Sequence, residues 1–245
     1  MKIRLAASAD EIKLAQALRH EVFVGGQGLD GDRYDETCAH LFVIDEQSGV
    51  SPYALSDGCL VATTRLIGQR EAERLGGFYS ASEFDLEPLL KRQSHLKFLE
   101  LGRTCILPQA RGTAVMELLW QGIWDYVRQH GYDVMIGCAS FEGSDPTDHA
   151  AALQFLSQHA KAPEEWQAEA LPQMRAPMSA ITSPAPDLKA MLKALPPLIK
   201  GYVRLGCYIG DGCVVDKVFN TVDVLIILPV RAINPRYFQR FGQPA

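Results

Sequence analysis

The segment Phe98–Ala114, FLELGRTCILPQARGTA, carries two chemistries in one run. Glu100, on a strand-like stretch, is an acid that can receive a proton from an attacking amine. Arg111 and Gly112 open a helix whose first-turn N–H groups have no intrahelical partner and suit a phosphate or a pantetheine. Together they outline a thioester site, and the arrangement suggests acyl transfer. Arg103 lies three residues from Glu100, so the two point to opposite faces unless a bulge intervenes, which Gly102 would permit. A structural ion pair between them is the competing reading.

Asp32, Asp35 and Glu36 crowd into five residues, which taken alone describes a solvated loop. Arg19, Arg65 and Arg103 change that reading, because each sits in or beside an apolar element and a buried arginine needs a carboxylate partner. Asp223, entering the apolar run Val224–Val230, is the best functional candidate among Asp211, Asp216 and Asp223. The run Gly26-Gln-Gly28-Leu-Asp-Gly31 matches a dinucleotide fingerprint, but a helix precedes it and no helix follows, so it reads as a loop or lid. Gly137-Cys-Ala-Ser140 lacks the frame of a nucleophile elbow. The six histidines follow no ligand spacing and read as surface or packing residues, and no metal site is expected.

Composition sets the class. The chain has 245 residues, 47% hydrophobic and 22% charged, with a formal net charge of -5. That describes a globular domain and argues against nonspecific nucleic-acid binding. Its six cysteines form no CxxC pair, so they read as reduced and cytoplasmic. The N-terminus lacks an apolar signal and the longest apolar run is too short for a bilayer.

These residues need positioning elements. Lys2–Ala6 alternates as a strand, and Ser8-Ala-Asp-Glu11 is a capping box for a helix through Leu18. Leu41–Asp45 and Cys59–Ile67 read as a hairpin, Leu96–Leu107 as the next strand, Thr113–Gln129 as an amphipathic helix and Val134–Ala139 as a buried strand. Asp145-Pro146 starts a helix to about His159. Residues from about 160 to 198 read as a proline-rich insertion with a short helix near Leu188–Leu195. Gly201–Gly210 and Thr221–Val230 read as two closing strands. The order βαβββαβαββ is a single mixed α/β domain.

The segments LRHEVF, DGDRYDE with HLFV, GGFYSASEFDL, FLELGRTCILPQAR, IGCASFEGSDP and LPPLIKGYVRLGCYIGDGCVVDKVFNTVDVLIILPV resemble the GNAT-related N-acyltransferases of bacterial ornithine lipid synthesis. The resemblance spans nearly the full chain. It implies a GNAT-like (acyl-CoA N-acyltransferase) α/β fold with a mixed sheet flanked by helices, a fold shared with acyl-homoserine lactone synthases. It implies a 3-hydroxyacyl chain carried on acyl carrier protein, L-ornithine or another amino acid as acceptor, and no cofactor beyond the donor's phosphopantetheine.

The pattern shared with the lactone synthases maps onto Arg19, Phe23, Asp32, Asp35, Arg65, Glu100 and Arg103, which implies one charge cluster beside the thioester. Glu100 would then be the base. Arg19, Phe23, Asp32, Asp35, Arg65, Arg103 and Asp223 would meet the amine substrate. Ile106, Arg111, Gly112, Thr113 and Ala114 would hold the acyl-pantetheine, with a strand N–H near Ile106 at the oxyanion. Two features depart from the pattern: the loop after Phe23 has no tryptophan, and AALQFLSQHA offers no tyrosine to protonate a leaving thiolate. A lactone synthase, an acyltransferase for another amino acid such as glycine, and a noncatalytic carrier-protein or acyl-chain binding module are the alternatives. An amphiphilic product makes peripheral membrane contact an expectation, with the tail NPRYFQRFG as its candidate.

Overall fold

A computed structural model describes residues 1–47, 52–176, 178, 191 and 195–234. The first half of the chain runs β1 (Lys2–Leu5), α1 (Ala9–Phe23), β2 (Ala39–Asp45), β3 (Ala54–Leu55), β4 (Gly58–Gly68) and α2 (Gln69–Arg74). The middle runs β5 (Phe84–Asp85), α3 (Glu87–Arg92), β6 (Phe98–Ile106), α4 (Thr113–His130), β7 (Val134–Glu142) and α5 (Ala150–His159). The remainder runs β8 (Glu169–Ala170), β9 (Arg175–Ala176), α6 (Pro197–Leu205), β10 (Tyr208–Ile209), β11 (Cys213–Asp216) and β12 (Thr221–Pro229). These pack as two compact units, one holding Met1–Gly77 with Leu99–Gly131, the other holding Phe78–Phe98 with the described residues from Tyr132 to Asn234.

In the first unit β1, β2, β4 and β6 pair antiparallel in that order, and β3 closes a hairpin on β4. Helix α1 starts where the capping box predicts: the Ser8 hydroxyl accepts from the Glu11 N–H, while the Glu11 carboxylate accepts from the Ala7 N–H. Its Ala15 and Leu18 bury fully against Phe42, Ile44, Leu60, Cys105 and Leu107 on one face of the sheet. The Leu18 side chain contributes about 1.5–3 kcal/mol by leaving water. Helix α4 covers the other face at close range. A Cβ at Gly122 would stand 2.6 Å from the Ile3 side chain and 2.7 Å from that of Leu41, so only glycine lets this helix seat.

In the second unit β12 pairs with β7 over nine register positions, from Thr221↔Glu142 to Pro229↔Val134. β11 and β10 also pair with β12, and β9 pairs with β11. Asp145 caps the turn that leads into α5, accepting from the Thr147 N–H. The segment expected to be inserted contributes β8, which pairs with β5, and β9. Most of the expected short helix at Leu188–Leu195, and the tail from residue 235, lie outside the described residues.

One expected strand is a helix. Gly201–Gly210 falls largely in α6, which has Pro197 at its first position and ends at Gly206, φ 98°, whose N–H returns to the Tyr202 and Val203 carbonyls. Ile199 and Tyr202, three apart, form its buried face. Only Tyr208–Ile209 is extended.

Candidate active site

The bulge anticipated near Gly102 is present one residue later. Thr63 faces Cys105 and Arg65 faces Gly102, so Arg103 and Thr104 together oppose the single residue Thr64. Arg103 takes φ 52°, the left-handed region a non-glycine residue seldom occupies, whereas Gly102 has no need of it. The extra residue resets the alternation. Glu100 faces Ile67 and Gly102 faces Arg65, so Glu100 shares the Arg65 side of the sheet. Arg103, which plain alternation would send to the opposite side, reaches the same charges as Arg65: its Nη2 stands 3.8 Å from Asp32. Glu100 itself is buried, 1% exposed.

Asp35 is the centre of the charge cluster. Its Oδ1 accepts from Arg19 Nη1 and Arg65 Nη1, both at 2.9 Å. Its Oδ2 accepts from Arg19 Nη2 at 2.6 Å, Gln16 Nε2 at 3.0 Å and the Asp32 N–H at 3.1 Å. Asp32 Oδ1 accepts from Arg65 Nη1 at 2.5 Å and from the Tyr34 N–H at 2.8 Å. Asp30 Oδ2 lies 3.1 Å from Arg19 Nε and 3.0 Å from Arg103 Nε. Arg19, Arg65 and Asp35 are each 1% exposed. Burial alone would raise the Asp35 pKa, but the Arg19 hydrogen bonds and the Arg19 and Arg65 charges outweigh it and hold it well below the usual carboxylate range. Arg65 is likewise driven down by burial and up, more strongly, by Asp32 and Asp35. The Tyr34 ring lies between Arg33 and Arg65, whose guanidinium carbons are 5.1 and 5.2 Å from its centroid.

His40, read with the other histidines as a surface or packing residue, packs buried against this cluster. Its Nε2 lies 3.0 Å from the Asp35 carbonyl, which only accepts, so Nε2 carries a proton, and burial lowers the ring's pKa. β2 and β4 place it opposite Arg65 in register. The signal in sequence was its position within the apolar run HLFV, three residues after Thr37.

The loop between α1 and the cluster has the character expected of it. Gly25 and Gly26 take φ 87° and 73° in open space, between Val24 and Leu29, which are 62% and 58% exposed. No helix follows, so the glycines are no dinucleotide cradle. Asp30 ties the far end of the loop to Arg19 and Arg103.

Helix α4 opens on Gly112, extended at φ 178°, with no side chain to cap the first turn. Arg111, Gly112 and Ala114 are exposed there while Val115 is buried. Over 18 residues this helix presents a positive dipole end beside a cationic side chain. Ile106, just before it, faces Ala62 on β4.

In the second unit Asp223, with Glu83 and Asp216, forms a trio of carboxylates whose nearest oxygens all lie within 4.8 Å of one another. Asp223 and Glu83 are each 5% exposed. Asp216 is turned partly to its own loop, accepting from the Val218 and Phe219 N–H groups. Carboxylates this close share a proton or favour a cation.

The chain is 45% identical, along its full length and 85% of the relative, to the L-ornithine N(alpha)-acyltransferase of Rhizobium meliloti strain 1021. It is 42% identical to the enzyme of the same name from Brucella abortus strain 2308, over the full chain and 90% of that relative. It belongs to the L-ornithine N(alpha)-acyltransferase family. Residues 17–121 match the acetyltransferase (GNAT) domain family. The fold is shared with FeeM, an N-acyl amino acid synthase from uncultured soil microbes, at a TM-score of 0.52 and 9% identity over 96% of each chain. The chain is therefore an acyltransferase with a GNAT-type mixed α/β fold.

Family membership and geometry sort the residues singled out in the sequence. The structure brings Arg19, Asp32, Asp35, Arg65 and Arg103 into one cluster, with Glu100 on the same side of the sheet. Phe23 packs partly buried against the α1 core. Arg19, Asp35 and Arg65 were expected to touch substrate. They are each 1% exposed and pair with one another, while Arg103 and Asp32 are 14% and 24% exposed. Sequence reasoning missed Asp30, Gln16 and His40. Asp30 lay inside the glycine-rich run, where an acid reads as part of a solvated loop.

Proposed function

We propose that the protein transfers a 3-hydroxyacyl group from acyl carrier protein to the α-amine of L-ornithine, giving lyso-ornithine lipid. The observation that carries this reading is the β6 bulge, which puts an acid, Glu100, and a half-open arginine, Arg103, on one side of one strand, in a chain whose relatives bear that name. Arg103, anchored by Asp30, takes the substrate carboxylate, and the partly buried Asp32 is the acid for its ammonium. Glu100 receives the amine proton directly or through water. The amine nitrogen attacks the thioester carbonyl, the new C–N bond forms, and the C–S bond breaks to release the carrier's thiolate. A thiolate leaves readily, so the missing tyrosine on α5 need not stop the step.

Ile106 supplies an N–H for the oxyanion. Arg111, Gly112, Thr113 and Ala114 hold the pantetheine arm at the α4 N-terminus. Carrier proteins are acidic, and Arg111 is an exposed cation for docking. Asp223 belongs to a carboxylate trio whose chemistry suits an alkylammonium. No cofactor other than the donor's own phosphopantetheine is invoked. Among the described residues no helix is long and apolar enough to cross a membrane. A cytoplasmic enzyme with peripheral contact at the inner membrane fits an amphiphilic product.

Incubation of the purified protein with 3-hydroxyacyl carrier protein and a panel of amino acids, read by mass spectrometry, tests the reading. N-acyl ornithine as the dominant product supports it. Acyl glycine as the main product would move the acceptor, and acyl-homoserine lactone formed with S-adenosylmethionine would replace the reaction.

A further inference from the structure

Arg103 holds a left-handed backbone conformation, φ 52°, that is strained for a residue with a Cβ. Such a bulge persists only where its surroundings fix it. The residue opposite it is Thr64, fully buried, and its Oγ1 lies 2.7 Å from Thr104 Oγ1 and 3.3 Å from the Gly102 carbonyl. A carbonyl only accepts, so the Thr64 hydroxyl proton goes to Gly102 and the Thr104 hydroxyl donates to Thr64. One side chain thus ties together the two residues that flank Arg103, across the strand pair and on either side of the extra residue.

We infer that Thr64 is a positioning residue for the amine substrate: its hydroxyl clasps the bulge that turns Arg103 toward Asp30 and Asp32. The inference rests on the reading of Arg103 as the carboxylate ligand. A valine of nearly the same shape keeps the packing and the strand preference but cannot clasp. The bulge then loses its tie, and Arg103 is free to leave the left-handed region and swing from the cluster. A serine keeps the hydroxyl.

The test compares Thr64→Val, Thr64→Ser and Arg103→Gln for KM toward ornithine, KM toward the acyl donor, and kcat. Thr64→Val is expected to raise the ornithine KM about tenfold with the donor KM unchanged, and Thr64→Ser to return it close to the starting value. Thr104→Val is a second variant for the case that Thr64→Val does not fold. It removes the other half of the clasp and is expected to raise the same KM. An ornithine KM unchanged in Thr64→Val, or raised equally in Thr64→Ser, while Arg103→Gln does raise it, overturns the role of Thr64 alone. An ornithine KM unchanged in Arg103→Gln overturns the carboxylate reading, and this inference with it.

Discussion

Arg103 Nε stands 3.0 Å from Oδ2 of Asp30, and the same oxygen stands 3.1 Å from Arg19 Nε. One carboxylate therefore links a buried arginine of α1 to the half-open arginine of the β6 bulge. The link fixes where the Arg103 guanidinium points. It follows that Asp30→Asn should weaken ornithine binding with little effect on the acyl donor. A several-fold rise in ornithine KM, with donor KM and Tm close to the starting values, is the expected outcome of steady-state kinetics and a melting curve. A drop in kcat alone would contradict it.

Asp35 holds two buried arginines together. Replacing it with asparagine leaves buried Arg19 with Asp30 and buried Arg65 with Asp32 but removes the carboxylate they share, which should cost up to about 3–5 kcal/mol. Denaturant unfolding measures this directly. The sign of its pH dependence is also fixed. The folded pKa lies below the ordinary 3.8, so the stabilisation is fully present above that value and is lost as pH falls through the acid range.

His40 acts in the opposite sense. Its folded pKa lies below the ordinary 6.5, because burial opposes its charge and Arg19 and Arg65 repel it, while Asp35 partly offsets them. The unfolded chain takes up the proton first, so stability declines as pH drops below about 6.5. His40→Asn, which keeps a donor for the Asp35 carbonyl and cannot titrate there, should flatten the stability profile between pH 7 and 5. An unchanged slope would place the titration elsewhere.

Arg111 should matter more for the natural donor than for a small one. Arg111→Glu reverses a charge at the exposed α4 N-terminus and should raise the KM for acyl carrier protein more than that for a short acyl-pantetheine thioester. Equal loss on both donors would assign Arg111 to the pantetheine arm instead of the protein surface.

Much of this site could be read before any coordinates. The capping box at Ser8 and Glu11, the strands around Phe42 and Thr63, and α4 from Thr113 all carry local signals of the right period. That some of the acids at Asp32, Asp35 and Glu36 partner buried arginines followed from the cost of burying an arginine alone, and their gathering with Arg19, Arg65 and Arg103 from the resemblance to the lactone synthases. What local reasoning could not supply was pairing at a distance. Asp30 joins the cluster only because the loop returns past α1, and Thr64 matters only because two residues oppose it. α6 was misread because Tyr202 and Val203 favour strands, although Pro197 and Gly206 marked both ends of a helix. β5, β8 and β9, two residues each, are too short to show any periodicity.

The most direct test is ornithine-dependent release of free thiol from 3-hydroxyacyl carrier protein, compared between the unaltered chain and Glu100→Gln with folding verified by its melting curve. The account predicts thiol release coupled one-to-one to N-acyl ornithine, and turnover lowered roughly 10²-fold in Glu100→Gln at similar KM values. Near-normal turnover in a folded Glu100→Gln, or thiol release that does not depend on ornithine, would contradict it.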